Sequence, residues 1–133
     1  MKLIVCLGDR NGMQFAGRRQ SRDKVVCDKI TEISSATKLW MNTYSAKLFD
    51  PKPENLCVDD SFLKLAGDDE FCFAECIDGD GWKSKTDTLI VFRWNRHYPA
   101  DMLFLDMPNW SCNHSEDFQG SSHDKITMEV YSR

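Results

Sequence analysis

The sequence predicts one α/β domain over residues 1–133: a central mixed sheet, flanking helices and antiparallel strands at the C-terminal end. Three observations carry that expectation. A continuous apolar run at residues 2–7 suits a strand buried on both faces, as in a sheet covered by helices on each side. Val26, Ile30 and Ile33 then recur at helical spacing. Residues 126–131 finally alternate in the manner of a strand. A chain of 133 residues has room for one core, and 41% hydrophobic with 29% charged residues is ordinary globular usage.

Taken in order, residues 2–7 form a central strand that ends at Gly8. Residues 9–20 contain Gly12 and Gly17 and no clear period, so they read as a long loop of the kind that often carries function. Ser21 offers an N-cap and Asp23 suits the positive end of a helix dipole, which gives a helix over 22–34. Residues 38–41 are a second short strand. Thr43 caps one or two helical turns through 49, and residues 50–55, with Pro51 and Pro53, make a turn. Asp59 or Asp60 caps a short helix through 66, with Gly67 just past its end. Residues 70–77 read as a strand, Asp78-Gly-Asp-Gly81 as a hairpin turn, and 88–94 as a strongly apolar strand. Residues 101–105 extend that strand beyond a break at Pro99, and 126–131 close the chain.

Charge and composition exclude several classes of function. A net charge of −4 and a pI near 5.3 argue against a dedicated nucleic-acid binder. The average hides an asymmetry, for residues 1–66 carry 11 basic and 8 acidic side chains while 67–133 carry 6 and 13. No run approaches the roughly 18 apolar residues of a membrane span. The N-terminal run is too short for a signal peptide, so the expected location is cytoplasmic and the six cysteines are expected to be reduced. Trp40, Trp82, Trp94 and Trp110 belong either to the core or to an apolar interface, which leaves a homo-oligomer open.

The best site candidate is a set of cations with one acid: Arg18, Arg19, Arg22 and Asp23, joined by Arg93, Arg96 and His97. If the loop after the first strand lies beside the end of the 88–94 strand, these groups meet at the carboxyl edge of the sheet, where such folds bind ligands. Several guanidinium forks around one pocket imply an anion. The competing expectation is that Arg22 and Asp23 are solvated and that Arg93 and Arg96 pair with nearby acids. No metal is expected. Cys72 and Cys76 lie about 13 Å apart on an extended strand and instead face a core beside Ala74. Cys112, His114 and His123 lack a fourth ligand, and Asp78 to Trp82 lacks the later oxygens of a calcium loop. No Gly-x-Ser-x-Gly elbow supports a serine hydrolase, and six cysteines leave a thiol nucleophile open.

Several segments resemble the dihydrofolate reductase family: the first apolar strand, Asn11-Gly12-Met13 in the following loop, and a helix opening with Asp23. In the closing third, Tyr98-Pro-Ala-Asp-Met-Leu-Phe104, Trp110, Ser115-Glu-Asp-Phe-Gln-Gly120 and Lys125-Ile-Thr-Met-Glu-Val-Tyr-Ser-Arg133 resemble that family's last strands. The resemblance implies a mainly parallel sheet closed by an antiparallel hairpin, and it makes Asp23 the substrate-binding acid. It also implies a dinucleotide held by a Met-Gly-Arg-x-Thr segment and a Gly-Gly turn, since glycine lets backbone N–H groups approach phosphate. Here Met41-Asn42-Thr43-Tyr44-Ser45 and Phe73-Ala-Glu-Cys76 stand in those places. Both glycines are gone, and Glu75 brings negative charge towards a pyrophosphate. Arg18 and Arg19 replace the Pro-Trp usual before the helix, and residues 49–59 are too few for the two strands that support an adenine. The implied protein is a trimmed scaffold with no cofactor, binding an anionic small molecule or a protein partner. The alternative is an NADPH-dependent reductase of a pteridine-like heterocycle. Arg18-Arg-Gln-Ser-Arg-Asp23 and Arg93-Trp-Asn-Arg-His-Tyr-Pro-Ala-Asp101 also resemble short bacterial proteins labelled ribonuclease Z. The His-x-His-x-Asp-His cluster of that two-zinc nuclease is missing.

Overall fold

The apolar run at the start of the chain is the middle strand of a sheet. A computed structural model describes residues 1–77, 79–104 and 109–133. In it, β1 (Lys2–Leu7) lies between β6 (Phe71–Phe73) and β7 (Thr88–Arg93), parallel to both. Leu3, Val5 and Leu7 enter one core and Ile4 the other, all fully buried, which explains why the run does not alternate. The seven-stranded sheet is ordered β5 (Leu56–Val58), β4 (Leu39–Met41), β6, β1, β7, β10 (Ile126–Ser132), β9 (Ser111–Phe118). The first five strands are parallel, and β10 runs antiparallel to both of its neighbours.

Helices cover both faces. On one side α1 (Lys24–Ile33) and α2 (Thr43–Ala46) bring Val26, Ile30 and Ala46, with Phe49, against Ile4, Phe73, Ile90 and Phe92. On the other, α3 (Phe62–Leu65) and α4 (Gly81–Lys85) bring Phe62 and Trp82 against Leu3, Val5, Leu89 and Val91. Phe104 and Trp110 complete that second core. Trp82, Trp94 and Trp110 are buried and Trp40 is half-buried, its indole donating to Glu70, so the tryptophans are spent within the fold. Among the described residues, no helix is long and apolar enough to cross a membrane.

Several local expectations are corrected. Residues 9–20 are not a plain loop, because β2 (Gly12–Phe15) turns back on β3 (Arg18–Arg19) through Ala16 and Gly17, both at positive φ. Asp23, not Ser21, caps α1: its Oδ1 accepts from Val25 N at 2.9 Å. Asn42, not Thr43, caps α2 in the same way. Neither Asp59 nor Asp60 occupies the cap of α3; they accept instead from Ser61 N and Thr43 N. The segment after Gly79 is no hairpin, since β6 and β7 are both parallel to β1 with α4 between them; Asp78 itself lies outside the described residues. The strand expected over 101–105 is β8 (Met102–Leu103), which pairs with β2 in a second small sheet rather than extending β7. Residue 105 lies outside the described residues. The strand β5 lies within the connection 49–59, where residues 50–55 read as a turn, and β9 is the sheet's far edge, a strand that only the family resemblance at 115–120 points to.

Candidate functional site

The carboxyl ends of β1, β6 and β7 meet the N-terminus of α1, and two buried carboxylates stand there. The first is Asp23, whose side chain is fully enclosed. Its Oδ1 accepts from Val25 N and from Ser121 N at 2.9 Å each, and its Oδ2 accepts from Ser122 N at 2.8 Å. Oδ2 also lies 3.0 Å from His123 Nδ1. Burial pushes the carboxyl pKa up, but the Ser121 and Ser122 N–H groups, the His123 ring and Val25 N outweigh it and hold the group well below the usual carboxylate range. An ionised carboxylate only accepts, so Nδ1 of His123 carries a proton. On the far side of the ring, Nε2 lies 3.1 Å from Ser21 Oγ and 3.0 Å from the Tyr98 hydroxyl. The indole of Trp94 stacks on the imidazole at 4.7 Å. Gly120 makes the enclosure possible, for a Cβ there would sit 2.3 Å from Asp23 Oδ2.

The second carboxylate is Glu75, two residues past the end of β6 and 8% exposed. Arg19 donates to it through Nε at 2.6 Å and Nη2 at 2.9 Å, and Ser45 Oγ donates at 2.8 Å. The guanidinium lies 4.3 Å over the Tyr44 ring, and the hydrogen bond to Glu75 raises its pKa against the opposing effect of burial. At the start of α2, Ser45 N is taken by Asn42 Oδ1 and Thr43 N by the Asp60 carboxylate.

Between α1 and residues 47–51 opens a cleft of about 660 Å³, bordered by Arg22, Lys24 and Thr31 on one side and Lys47, Leu48 and Asp50 on the other. A hollow of about 10 Å³ shares Arg22, Asp23, Cys27 and Leu48 with the cleft and reaches inward to Ser21, Glu75 and Trp94. The thiols beside it are held away from the thiolate form. Burial, with Glu75 next, pushes Cys6 up, and burial pushes Cys27 up to about 11. Cys72, raised to about 12 by burial, sits with Ala74 in the core under α3, while Cys76 is half-buried.

The expected gathering of cations is divided by the sheet. The first loop does lie beside the end of β7, where Asp9 N donates to Arg96 O. Successive strand residues face opposite ways, however, so Trp94 points towards α1 while Arg93 enters the opposite side. There Arg93 bonds Glu129 and Asn11, both at 2.6 Å. Arg22 and Asp23 border the cleft, and Arg19 is locked to Glu75. Arg18, Arg96 and His97 are exposed. Cys112 and His114 are exposed on β9 whereas His123 is buried, and no cluster of three or more metal-ligating side chains occurs among the described residues. Sequence reasoning missed Ser21, Tyr98 and His123 as a group. The nearest signal was the pairing of a polar helix start with a Gly-Ser-Ser-His turn about a hundred residues later.

No protein-family model matches the sequence, and comparison with curated proteins finds no match. Among solved structures, a dihydrofolate reductase from Enterococcus faecalis, described as complexed with NADP(H) and RAB-propyl, superposes with a TM-score of 0.67. The alignment covers 99% of this chain and 95% of that one, at 10% sequence identity. The chain therefore has a dihydrofolate reductase-like fold, with the mostly parallel sheet, flanking helices and antiparallel C-terminal strands that the sequence predicted. At that identity the likeness is one of fold alone. The resemblance to proteins labelled ribonuclease Z finds no support.

Proposed function

We propose that the protein binds a small anionic molecule in the cleft between α1 and residues 47–51, on a scaffold that no longer takes a dinucleotide. The observation that carries this reading is Glu75. Where the family resemblance expects a glycine turn open to phosphate, a buried carboxylate is held by Arg19 and Ser45. The neighbouring N–H groups of Thr43 and Ser45 are already bonded to Asp60 and Asn42. These residues do not fit a pyrophosphate, which needs free donors and no adjacent negative charge. Arg22, Lys24 and Lys47 at the cleft favour an anion; Asp28 is paired with Lys24 at 3.5 Å, Asp50 lines the side of Lys47, and the oxygens of Asp23 are already taken. Six free thiols support a cytoplasmic location.

The reductase alternative draws on the fold and on the NADP(H) named with the E. faecalis enzyme. The enclosure of Asp23 counts against it, since a carboxylate saturated by Ser121, Ser122 and His123 has no lone pair to offer a ring. Thermal unfolding with millimolar citrate, inorganic phosphate, NADPH, NADP or folate tests both readings. A ligand at 100 times its dissociation constant stabilises by about 2.7 kcal/mol, several degrees for a chain of this size. Citrate or phosphate is expected to raise the midpoint, and Lys47→Ala to abolish the rise. A shift with NADPH or folate alone would establish the reductase reading instead.

A further inference from the structure

Three side chains distant in sequence meet with the connectivity of an activated nucleophile. We infer that Ser21, His123 and Asp23 form a hydrolytic triad for small carboxylic esters, with Ser21 as nucleophile, His123 as base and Asp23 orienting the base. Ser21 Oγ lies 3.1 Å from His123 Nε2, and His123 Nδ1 lies 3.0 Å from Asp23 Oδ2, both within the reach such relays need. The direction of the relay follows from Asp23. Its oxygens accept backbone N–H bonds from Val25, Ser121 and Ser122, so it acts as an acceptor towards Nδ1 and leaves Nε2 as the basic nitrogen facing Ser21. The ring is immobilised by its stack on Trp94 and by burial to 5% exposure. The Tyr98 hydroxyl lies 3.2 Å from Ser21 Oγ and 3.0 Å from His123 Nε2, and its single proton goes to Ser21 Oγ when Ser21 donates to Nε2.

The inference rests on the binding reading only in that the cleft and the hollow beside Ser21 share Arg22, Asp23, Cys27 and Leu48. Ser21 is half-buried, and the hollow beside it, at about 10 Å³, holds no more than one water, so the ester carbonyl meets Ser21 from its solvent side and a small acyl group such as acetyl is favoured. Ser21 Oγ adds to the ester carbonyl carbon while its proton passes to His123 Nε2. The bond to the leaving alcohol breaks, and the departing oxygen takes that proton. Water then repeats the sequence, releasing the carboxylic acid and restoring the Ser21 hydroxyl.

The test is labelling of the full chain with diisopropyl fluorophosphate, located by peptide mass spectrometry, together with hydrolysis of p-nitrophenyl acetate. One label on Ser21 is expected, with hydrolysis falling about 100-fold or more in Ser21→Ala and in His123→Gln. Ser21→Ala removes one hydroxyl, and circular dichroism confirms its fold should His123→Gln fail to fold. Tyr98→Phe is expected to retain the label. No label at Ser21, a label on Tyr98 that Tyr98→Phe removes, or equal hydrolysis by Ser21→Ala would each overturn the triad. The citrate shift and the labelling, both measured on the natural chain, separate the two ideas: a shift without labelling sinks the triad alone, and labelling without a shift sinks anion binding alone.

Discussion

Asp23 and Glu75 are buried carboxylates at the same end of one sheet, yet they are satisfied by different kinds of donor. Asp23 is held chiefly by main-chain N–H groups, from the first turn of α1 and from a segment 98 residues further on. Glu75 is held by the side chains of Arg19 and Ser45. A carboxylate bound by backbone fastens two segments of chain together whatever side chains they carry. One bound by side chains is an assembly that single substitutions dismantle. The first arrangement is architecture with a histidine attached, and the second is a charge set into a position that the fold itself does not require to be charged.

The contrast breaks most visibly at Asp23. Asp23→Ala leaves several buried donors without an acceptor and is expected to cost about 3–5 kcal/mol, read as a fall in the urea midpoint. Its pH dependence has a definite sign. The folded-state pKa is depressed below the unfolded value of about 3.9, so the carboxylate's contribution is complete above about pH 5 and is lost as the pH falls through 4 and below. The stability gap between the natural chain and Asp23→Asn should therefore shrink between pH 6 and pH 3; a constant gap would show that the charge plays no part. Gly120→Ala comes next, at about 1–3 kcal/mol by thermal unfolding, because the new methyl group would meet both Asp23 Oδ2 and Ile126 Cδ1. Arg19→Ala follows at about 1–2 kcal/mol, and neutralising its partner should recover much of that loss, so an Arg19→Ala, Glu75→Gln cycle is expected to show strong coupling. Exposed Arg96→Ala should stay within about 0.5 kcal/mol. If it matched Arg19→Ala, the distinction between locked and solvated arginines would fail.

The framework was legible where burial writes itself into composition. Residues buried on both faces leave a continuous apolar run, and this located β1 and β7. An amphipathic stripe located α1. Residue pattern does not mark the edge strand β9, because Ser111 to Asp117 is polar and largely exposed and is a strand through its pairing with β10; only the family resemblance at 115–120 points to it. The hairpin of β2 and β3 escaped for a related reason, being four and two residues long around a left-handed turn at Ala16. At the site, charge is what marks Arg22 and Asp23 in the sequence, whereas in the structure Asp23 caps α1 and both residues border a cleft. Arg93 was misplaced because a run of arginines in sequence says nothing of the sheet that separates their side chains. His123 was considered only as a metal ligand. Its real partners lie 100 and 102 residues earlier, and nothing local to either segment announces the meeting.

The order of strands in the sheet also has a consequence for synthesis of the chain. Strand β1 precedes its hydrogen-bonding partners, which begin at Phe71 and Thr88, so its apolar residues stay without a sheet until those segments follow. The clasp on Asp23 closes later still, when Ser121 and Ser122 emerge. Such distant pairings incur loop-closure entropy before they return any stability. Until the second half of the chain arrives, the apolar residues of β1 have no strand beside them, which makes β1 the segment expected to need protection from aggregation.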